Sequence, residues 1–151
     1  MKKIIYAGII ACTIGSLFIG CRKDDDNKEG NSEASIVGVW HPLKQAVLSG
    51  KNGNVIDEET YSDCEKQSTF EFTSAGKVKQ KTYVSVGGTC ELDDESTVDY
   101  TFDKGKMELT MDGATFKLLS LTSSEFSAVF SEVPDQDGDG IVDLYVQFYA
   151  K

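Results

Sequence analysis

Residues 77–84 read Lys-Val-Lys-Gln-Lys-Thr-Tyr-Val, and their alternation decides the fold class. Lys77, Lys79 and Lys81 alternate with uncharged side chains, so the pattern repeats every two residues and not every 3.6 residues. Successive side chains of a β-strand point to opposite faces of the sheet. The stretch therefore predicts a strand with one buried face and one solvent-exposed face.

The same alternation continues through most of the chain after residue 36. Gly, Ser and Asp separate the runs, and Asp112-Gly113 is a strong hairpin signal because that turn needs positive φ. The segment from Asp57 to Lys66 has helix-like composition and predicts a loop containing one helical turn. The runs predict eight strands, at residues 36–48, 67–73, 77–86, 96–103, 106–111, 114–122, 125–132 and 141–150.

The connections between these strands are short, which makes sequential neighbours antiparallel. A meander of eight strands either closes into a barrel or leaves two unpaired edges, and closure removes the edges. The sequence therefore predicts an all-β domain over residues 36–151, folded as an eight-stranded antiparallel up-and-down barrel.

The N-terminus has the three-part pattern of a secretory signal peptide. A basic start is followed by sixteen uncharged residues, 4–19, which fall short of the roughly 20 needed to span a bilayer. Residues 17–21 read Leu-Phe-Ile-Gly-Cys and resemble the lipobox of bacterial lipoproteins. The resemblance implies that residues 1–20 are removed and that Cys21 is lipidated, for example with palmitate. Several acyl chains on Cys21 would anchor the protein stably to the outer membrane.

Residues 21–35 are acidic and polar, and they predict a lipidated flexible tether because they offer little apolar surface to bury. Within this segment, Arg22-Lys23-Asp24-Asp25-Asp26 looks like the surface-export signal of some Gram-negative lipoproteins. The alternative is a solvated linker without a signal. The chain has a formal net charge of −10, and loss of Lys2 and Lys3 with the signal peptide makes it −12. This charge argues against a nucleic-acid partner, which needs clustered Lys and Arg.

Several short motifs resemble the small lipocalin-like domain common in bacterial lipoproteins. Residues 38–40 read Gly-Val-Trp, similar to the Gly-x-Trp signature that opens lipocalins. Cys64, the Phe-Glu-Phe of residues 70–72 and Cys90 follow in order, and the likeness extends over roughly residues 36 to 132. The resemblance implies a small β-barrel.

Trp40 and the phenylalanines admit two interpretations, a packed core or the lining of a ligand site. The packed core is favoured, because aromatic stripes are usually core. Lipocalins often pack an arginine against the first-strand tryptophan, but Arg22 in the tether is the only arginine here. The candidate ligand-binding residues are Trp40, Phe70, Phe72, Phe116 and Phe126, with Phe148 in the same aromatic stripe.

Two of the four cysteines, Cys64 and Cys90, remain once Cys12 leaves with the signal peptide and Cys21 is lipidated. An exported protein sits in a compartment that permits disulfides. We predict a structural bridge between Cys64 and Cys90, closing a loop that stabilises by about 3.5 kcal/mol. A redox pair is the alternative, disfavoured because no Cys-x-x-Cys spacing is present.

An acidic loop precedes the last strand and resembles the calcium loop of EF-hands. Its carboxylates stand at loop positions 1, 3, 5 and 9 and are supplied by Asp135, Asp137, Asp139 and Asp143. Gly140 stands at position 6, but Val146 stands at position 12, where a bidentate acid is expected. The pattern predicts a weak calcium site, and the alternative is an ordinary polar turn.

The sequence offers no catalytic constellation, so we predict a non-enzymatic protein. The single histidine, His41, has no nucleophile near it in sequence, and no glycine-rich phosphate loop is present. One hypothesis is a monomer whose barrel holds a small apolar ligand. The other is an envelope structural or interaction module with a filled barrel, which contacts a partner through residues 49–66 and the acidic loop. A cavity inside the barrel would favour the first hypothesis.

Overall fold

A computed structural model describes residues 34–151. The predicted signal peptide, Cys21 and most of the tether lie outside these residues. Within 34–151, no helix has the length and apolar character to cross a bilayer. The elements of the described chain are β1 (Gly38–Leu48), β2 (Val55–Thr60), a 3-10 turn (Glu65–Gln67), β3 (Thr69–Phe72), β4 (Lys77–Val86), β5 (Thr89–Asp103), β6 (Glu108–Met111), β7 (Ala114–Leu121), β8 (Glu125–Val133) and β9 (Asp143–Ala150).

Eight of these strands close into an antiparallel barrel, which confirms the predicted fold. The order is β1-β3-β4-β5-β6-β7-β8-β9, and β9 pairs back onto β1. Closure depends on β1 being used in two parts. Residues 38–40 pair with β3, whereas His41–Leu48 pair with Leu144–Ala150 of β9. A register shift between Pro42 and Lys44 separates the β9 pairing into two stretches.

β2 lies outside this ring and corrects the sequence analysis, which predicts a loop with one helical turn over Asp57–Lys66. β3 pairs only with residues 38–40 of β1, so the rest of that edge is open to β2. Glu58 pairs with Lys44 at 2.6 Å and Glu59 accepts a hydrogen bond from Gln45 at 2.9 Å. β2 is acidic and exposed, which hides it from a hydrophobic pattern. The expected helical turn is present only as the 3-10 turn.

The β4–β5 hairpin is longer than predicted, since β5 begins at Thr89 and not at residue 96. The two strands pair along their length from Lys77↔Asp99 to Val86↔Thr89, with one register shift after Thr82. The two-residue turn at Gly87-Gly88 has positive φ at both positions, which glycine adopts without strain. Residues 89–95 are exposed and acidic, so backbone pairing and not burial makes them a strand.

One end of the barrel is filled, and it is called the floor here, after Ile36, Trp40 and Lys151. Trp40 is fully buried, its Nε1 donates to the Ile36 carbonyl at 2.6 Å, and its ring meets Phe126 edge-on at 4.9 Å. Lys151 Nζ lies 4.4 Å from the centre of the Trp40 ring. Lysine therefore supplies the cation for which the sequence offered no arginine.

Gly38 of the Gly-x-Trp motif is required by its backbone conformation. Its φ is 138°, which strains any residue with a Cβ. A Cβ at this position would also lie 2.9 Å from Lys151 Cε, and the flexible end of the lysine would shift to admit it.

A second, smaller apolar cluster lies on the outer face of β1 and β9. Gln147 and Tyr149 line the interior, so Phe148 between them faces outward. It packs near Ala46, Leu48 and Val146, and Lys44 Nζ lies 4.9 Å from its ring centre. Phe148 therefore does not belong to the interior aromatic set.

Candidate functional site

The barrel encloses a cavity of about 410 Å³ above the floor. This volume lies within the range of roughly 300–1,000 Å³ typical of small-molecule sites. Aromatic rings make up much of its wall, contributed by Phe70, Phe72, Phe116, Phe126, Phe130 and Tyr149. All of them occupy inward positions of strands, where every second side chain faces the barrel axis.

Four of the five candidate residues line this cavity, and Trp40 does not. Trp40 lies beneath the cavity as the packed core residue that the sequence favoured. Directly above it, the rings of Phe126 and Tyr149 stack at 4.5 Å with an interplanar angle of 12°. Phe70 meets Tyr149 edge-on at 5.4 Å. These rings separate the filled floor from the empty volume.

Phe130 and Tyr149 complete the aromatic wall, although neither was among the candidates. Phe116 and Phe130 lie 4.8 Å apart across the cavity wall. The signal for both was present in the sequence, because Phe130 alternates with Phe126, and Tyr149 lies two residues from Gln147 on the same face.

The cavity exists because small side chains stand at inward positions of β7 and β8. Ala114 and Ala128 line it together with Leu109 and Met111. Ala128 is almost fully buried, so it occupies an interior position that a large side chain would otherwise fill. Interiors are normally packed to crystal density, so an unfilled interior volume of this size is unusual for a structural barrel.

A row of neutral polar groups crosses one side of the interior, and we call it the Tyr–Gln ladder. Tyr149 Oη donates to Gln147 Oε1 at 2.6 Å, and Gln147 Nε2 donates to Tyr145 Oη at 3.4 Å. Tyr145 and Tyr61 both donate to Gln45 Oε1, the latter at 3.2 Å. Burial is the main cause that raises the pKa of Tyr149 and of Tyr61. Both hydroxyls therefore remain protonated donors in neutral solution.

The end of the cavity opposite the floor is called the mouth here, after Tyr61, Asp112 and Ala114. A smaller pocket of about 150 Å³ adjoins the main cavity. The two share four lining residues, Phe70, Thr82, Gln147 and Tyr149. Asp112 in the β6–β7 turn is the one charged residue among those that line the main cavity.

The predicted disulfide is confirmed, and it lies beside the smaller pocket. Cys64 and Cys90 are bonded, with Cα atoms 5.4 Å apart. The bond connects the loop before β3 to the first residues of β5, next to the Gly87-Gly88 turn. It therefore holds the 3-10 turn, which follows Cys64, against the β4–β5 hairpin.

The acidic loop brings together three of its four predicted ligands. Carboxylate oxygens of Asp135, Asp137 and Asp143 lie within 4.8 Å of one another. Asp139 instead accepts from the Ile141 amide at 2.9 Å and from Ser49 Oγ at 3.4 Å.

Backbone amides already serve the carboxylates of this loop. Asp143 is fully buried and accepts from the Gln136 amide at 2.6 Å and the Gly50 amide at 3.3 Å. Hydrogen bonds from several backbone amides lower the pKa of Asp135, and the bond from Gly140 has the largest effect. The loop thus has the form of a turn held by carboxylates, and calcium binding stays a prediction.

His41 lies away from the cavity, and its Nδ1 is 3.2 Å from the Lys66 carbonyl oxygen. The cavity wall consists of hydrocarbon, thioether, amide, hydroxyl and phenol groups and the one carboxylate of Asp112. This arrangement is suited to holding a molecule by shape and hydrogen bonds.

Comparison with known proteins gives a family match and one structural similarity. A family profile described as a lipocalin-like domain matches residues 36–128, more than half of the chain. Among solved structures, the chain is similar to the crystal structure of aphrodisin, a sex pheromone from female hamster. The sequence identity is 15%, the alignment covers 78% of this chain and 75% of that chain, and the TM-score is 0.36. No curated protein matches the chain.

Proposed function

Because the chain belongs to the lipocalin-like domain family, we propose that it is a non-enzymatic binding protein that holds one small, largely apolar molecule inside its barrel. The observation that carries this proposal is the cavity of about 410 Å³ walled by six aromatic rings. Each square ångström of apolar ligand surface removed from water there contributes about 25 cal/mol.

The same observation bears on the alternative, an interaction module with a filled barrel. In a filled barrel, side chains would occupy the axis along its whole length. Here large side chains fill only the floor, and alanines stand at inward positions above it. The cavity therefore favours the binding protein over the plain scaffold.

The proposed location is the outer membrane, with the barrel exposed at the cell surface and anchored as a monomer through lipidated Cys21. The lipobox-like residues 17–21 and the acidic segment after Cys21 support this part of the proposal. Mass spectrometry of the natural product tests it. A chain that begins at an acylated Cys21 is expected, and an intact Met1 with a free Cys21 thiol would refute the anchor.

Ligand binding can be tested with the neutral fluorophore N-phenyl-1-naphthylamine. The strands of the described residues all lie between Gly38 and Ala150, so a chain starting at residue 21 with Cys21→Ser retains the whole barrel. We expect one fluorophore per chain. Ala114→Phe places a ring in the mouth and should weaken binding about tenfold or more. Thr115→Phe is the matched control, because the next residue of the strand faces outward.

Equal binding by these two variants would place the fluorophore outside the barrel. No saturable binding to the unsubstituted barrel would reject the proposed function.

A further inference from the structure

Three neutral polar side chains interrupt the apolar wall of the cavity. Gln80 and Thr82 of β4 line it from one side, and Gln147 of β9 also lines it. Gln80 stands opposite Phe70 in the β3–β4 register, and Thr82 lies two residues further along the same strand. In small-molecule sites, a few polar groups in an apolar wall are what fix the orientation of the ligand.

Gln80 and Thr82 have unused hydrogen-bonding capacity. Neither side chain forms a hydrogen bond with any other residue between 34 and 151. Both are half-buried, so folding removes part of their contact with water. No side-chain polar atom of the described chain is buried without a partner, so both groups remain accessible to water in the free protein. A bound molecule that displaces this water must offer its own donor or acceptor in its place.

Gln147 is held in one orientation by the Tyr–Gln ladder. Its Oε1 accepts from Tyr149 and its Nε2 donates to Tyr145, which leaves one N–H hydrogen unused in the described hydrogen bonds. Tyr61 and Tyr145 donate their hydroxyl protons to Gln45 Oε1, within the same ladder. The ladder therefore presents a preset donor to the cavity without itself needing to rearrange.

The cavity has no positive charge for an anionic ligand. No Lys, Arg or His is among its lining residues in the described chain. The single charged lining residue, Asp112, lies exposed in the β6–β7 turn at the mouth. A carboxylate drawn into this interior would be buried without a counter-ion, which is far more costly than burying a neutral head.

We propose that the cavity selects a neutral amphiphile, an apolar chain or ring that ends in an uncharged hydroxyl, carbonyl or amide group. The apolar part lies on the aromatic wall, and the head group hydrogen-bonds with Gln80, Thr82 and Gln147. This inference rests on the proposed function, since it names the ligand class of the same cavity.

The head-group rule can be tested by competition against N-phenyl-1-naphthylamine with three ligands of equal chain length. These are 1-decanol, decanoate and decylammonium, used with the chain from residue 21 carrying Cys21→Ser at pH 7.5. We expect 1-decanol to displace the fluorophore at a concentration about tenfold or more below that of either charged ligand.

Two substitutions then test the named residues. Thr82→Val and Gln80→Leu remove side chains that make no internal hydrogen bond, so the fold should tolerate both. Each should weaken 1-decanol binding about threefold to tenfold, the loss of one neutral hydrogen bond, after the competition is corrected for the fluorophore affinity measured directly with the same variant. Thr97→Val on the exposed face of β5 is the matched control and should change nothing.

The outcomes separate this inference from the proposed function. If the fluorophore does not bind, both fail. If it binds and decanoate competes as well as 1-decanol, the cavity stands and the neutral head group is wrong. If decylammonium competes best, the head lies at Asp112 in the mouth, and the inference is again wrong. Unchanged 1-decanol binding in both variants would remove Gln80 and Thr82 from the site.

Discussion

The floor and the mouth of the barrel are built from the same strands but have opposite properties. At the floor, Trp40 is fully buried beneath Phe126 and capped by Lys151. At the mouth, Ala114 and Asp112 leave the interior open, and a disulfide holds the adjoining loop. The difference indicates that stability is concentrated at one end and binding capacity at the other, because the same volume cannot be both packed and vacant.

The largest expected effect is at the floor. Trp40→Ala should lower the free energy of unfolding by about 3–5 kcal/mol, because it leaves a large cavity in a packed region. Chemical denaturation measures the change. Val39→Ala, on the exposed side of the same strand, is the control and should cost about 0.5 kcal/mol or less. Equal losses from the two variants would contradict the assignment of the floor as the main core.

The next effect is at the mouth, where the disulfide acts. The double variant Cys64→Ser, Cys90→Ser should unfold with about 2–4 kcal/mol less free energy than the parent chain. Reductant should lower the parent's stability to the same value and leave the variant unchanged. A reductant effect on the variant would mean that something other than this bond is responsible.

Tyr149 lies between the floor and the mouth. Because its hydroxyl is buried, we expect the fold to lose stability at alkaline pH. Its pKa is raised in the fold, mainly by burial, whereas the unfolded chain ionises near the ordinary value of about 10. Stability from this group is complete below pH 10 and is lost as the pH rises further, by about 1.4 kcal/mol at pH 11. Denaturation at pH 8 and pH 11 measures it, and Tyr149→Phe should show the smaller decrease. An equal decrease in both proteins would exclude Tyr149 as the cause.

The smallest predicted effect concerns the acidic loop between β8 and β9, at the mouth end. If calcium binds with a dissociation constant of about 1 mM, 5 mM calcium should stabilise the fold by about 1 kcal/mol. Thermal unfolding with calcium or magnesium measures this. Asp137→Asn should abolish the shift, and Asp94→Asn on the exposed β4–β5 hairpin should retain it. No shift in the parent chain would show that the loop is only a turn.

Alternating patterns predicted most of the barrel, because the inward-facing apolar residues recur at every second position of a strand. They failed for β2 and for residues 89–95, where acidic side chains face solvent on both sides of the strand. These segments become strands because a neighbouring backbone offers unpaired groups. The edge of β1 beyond Trp40 is one such place. β3 is too short to pair with it, so its backbone groups are available to β2.

The site was partly predictable for a similar reason. Four of its aromatic residues were found from the stripe, but the Tyr–Gln ladder was not. Gln45 meets Tyr61 across 16 residues and Tyr145 across 100 residues. No local pattern connects such distant positions, and each of these side chains would look like a surface residue when considered alone.

The order of apolar and polar residues along the chain was enough to specify strands, turns and the inward face, because these depend on neighbours within a few positions. The order of the cysteines and the aromatic stripe likewise indicated a bridge and an interior. Closure of the barrel decided the rest. It brought Lys151 onto Trp40 and set Gln147 among the tyrosines. It also set Ala114 and Ala128 at inward positions beside the cavity, and a cavity depends on the side chains of all the strands together.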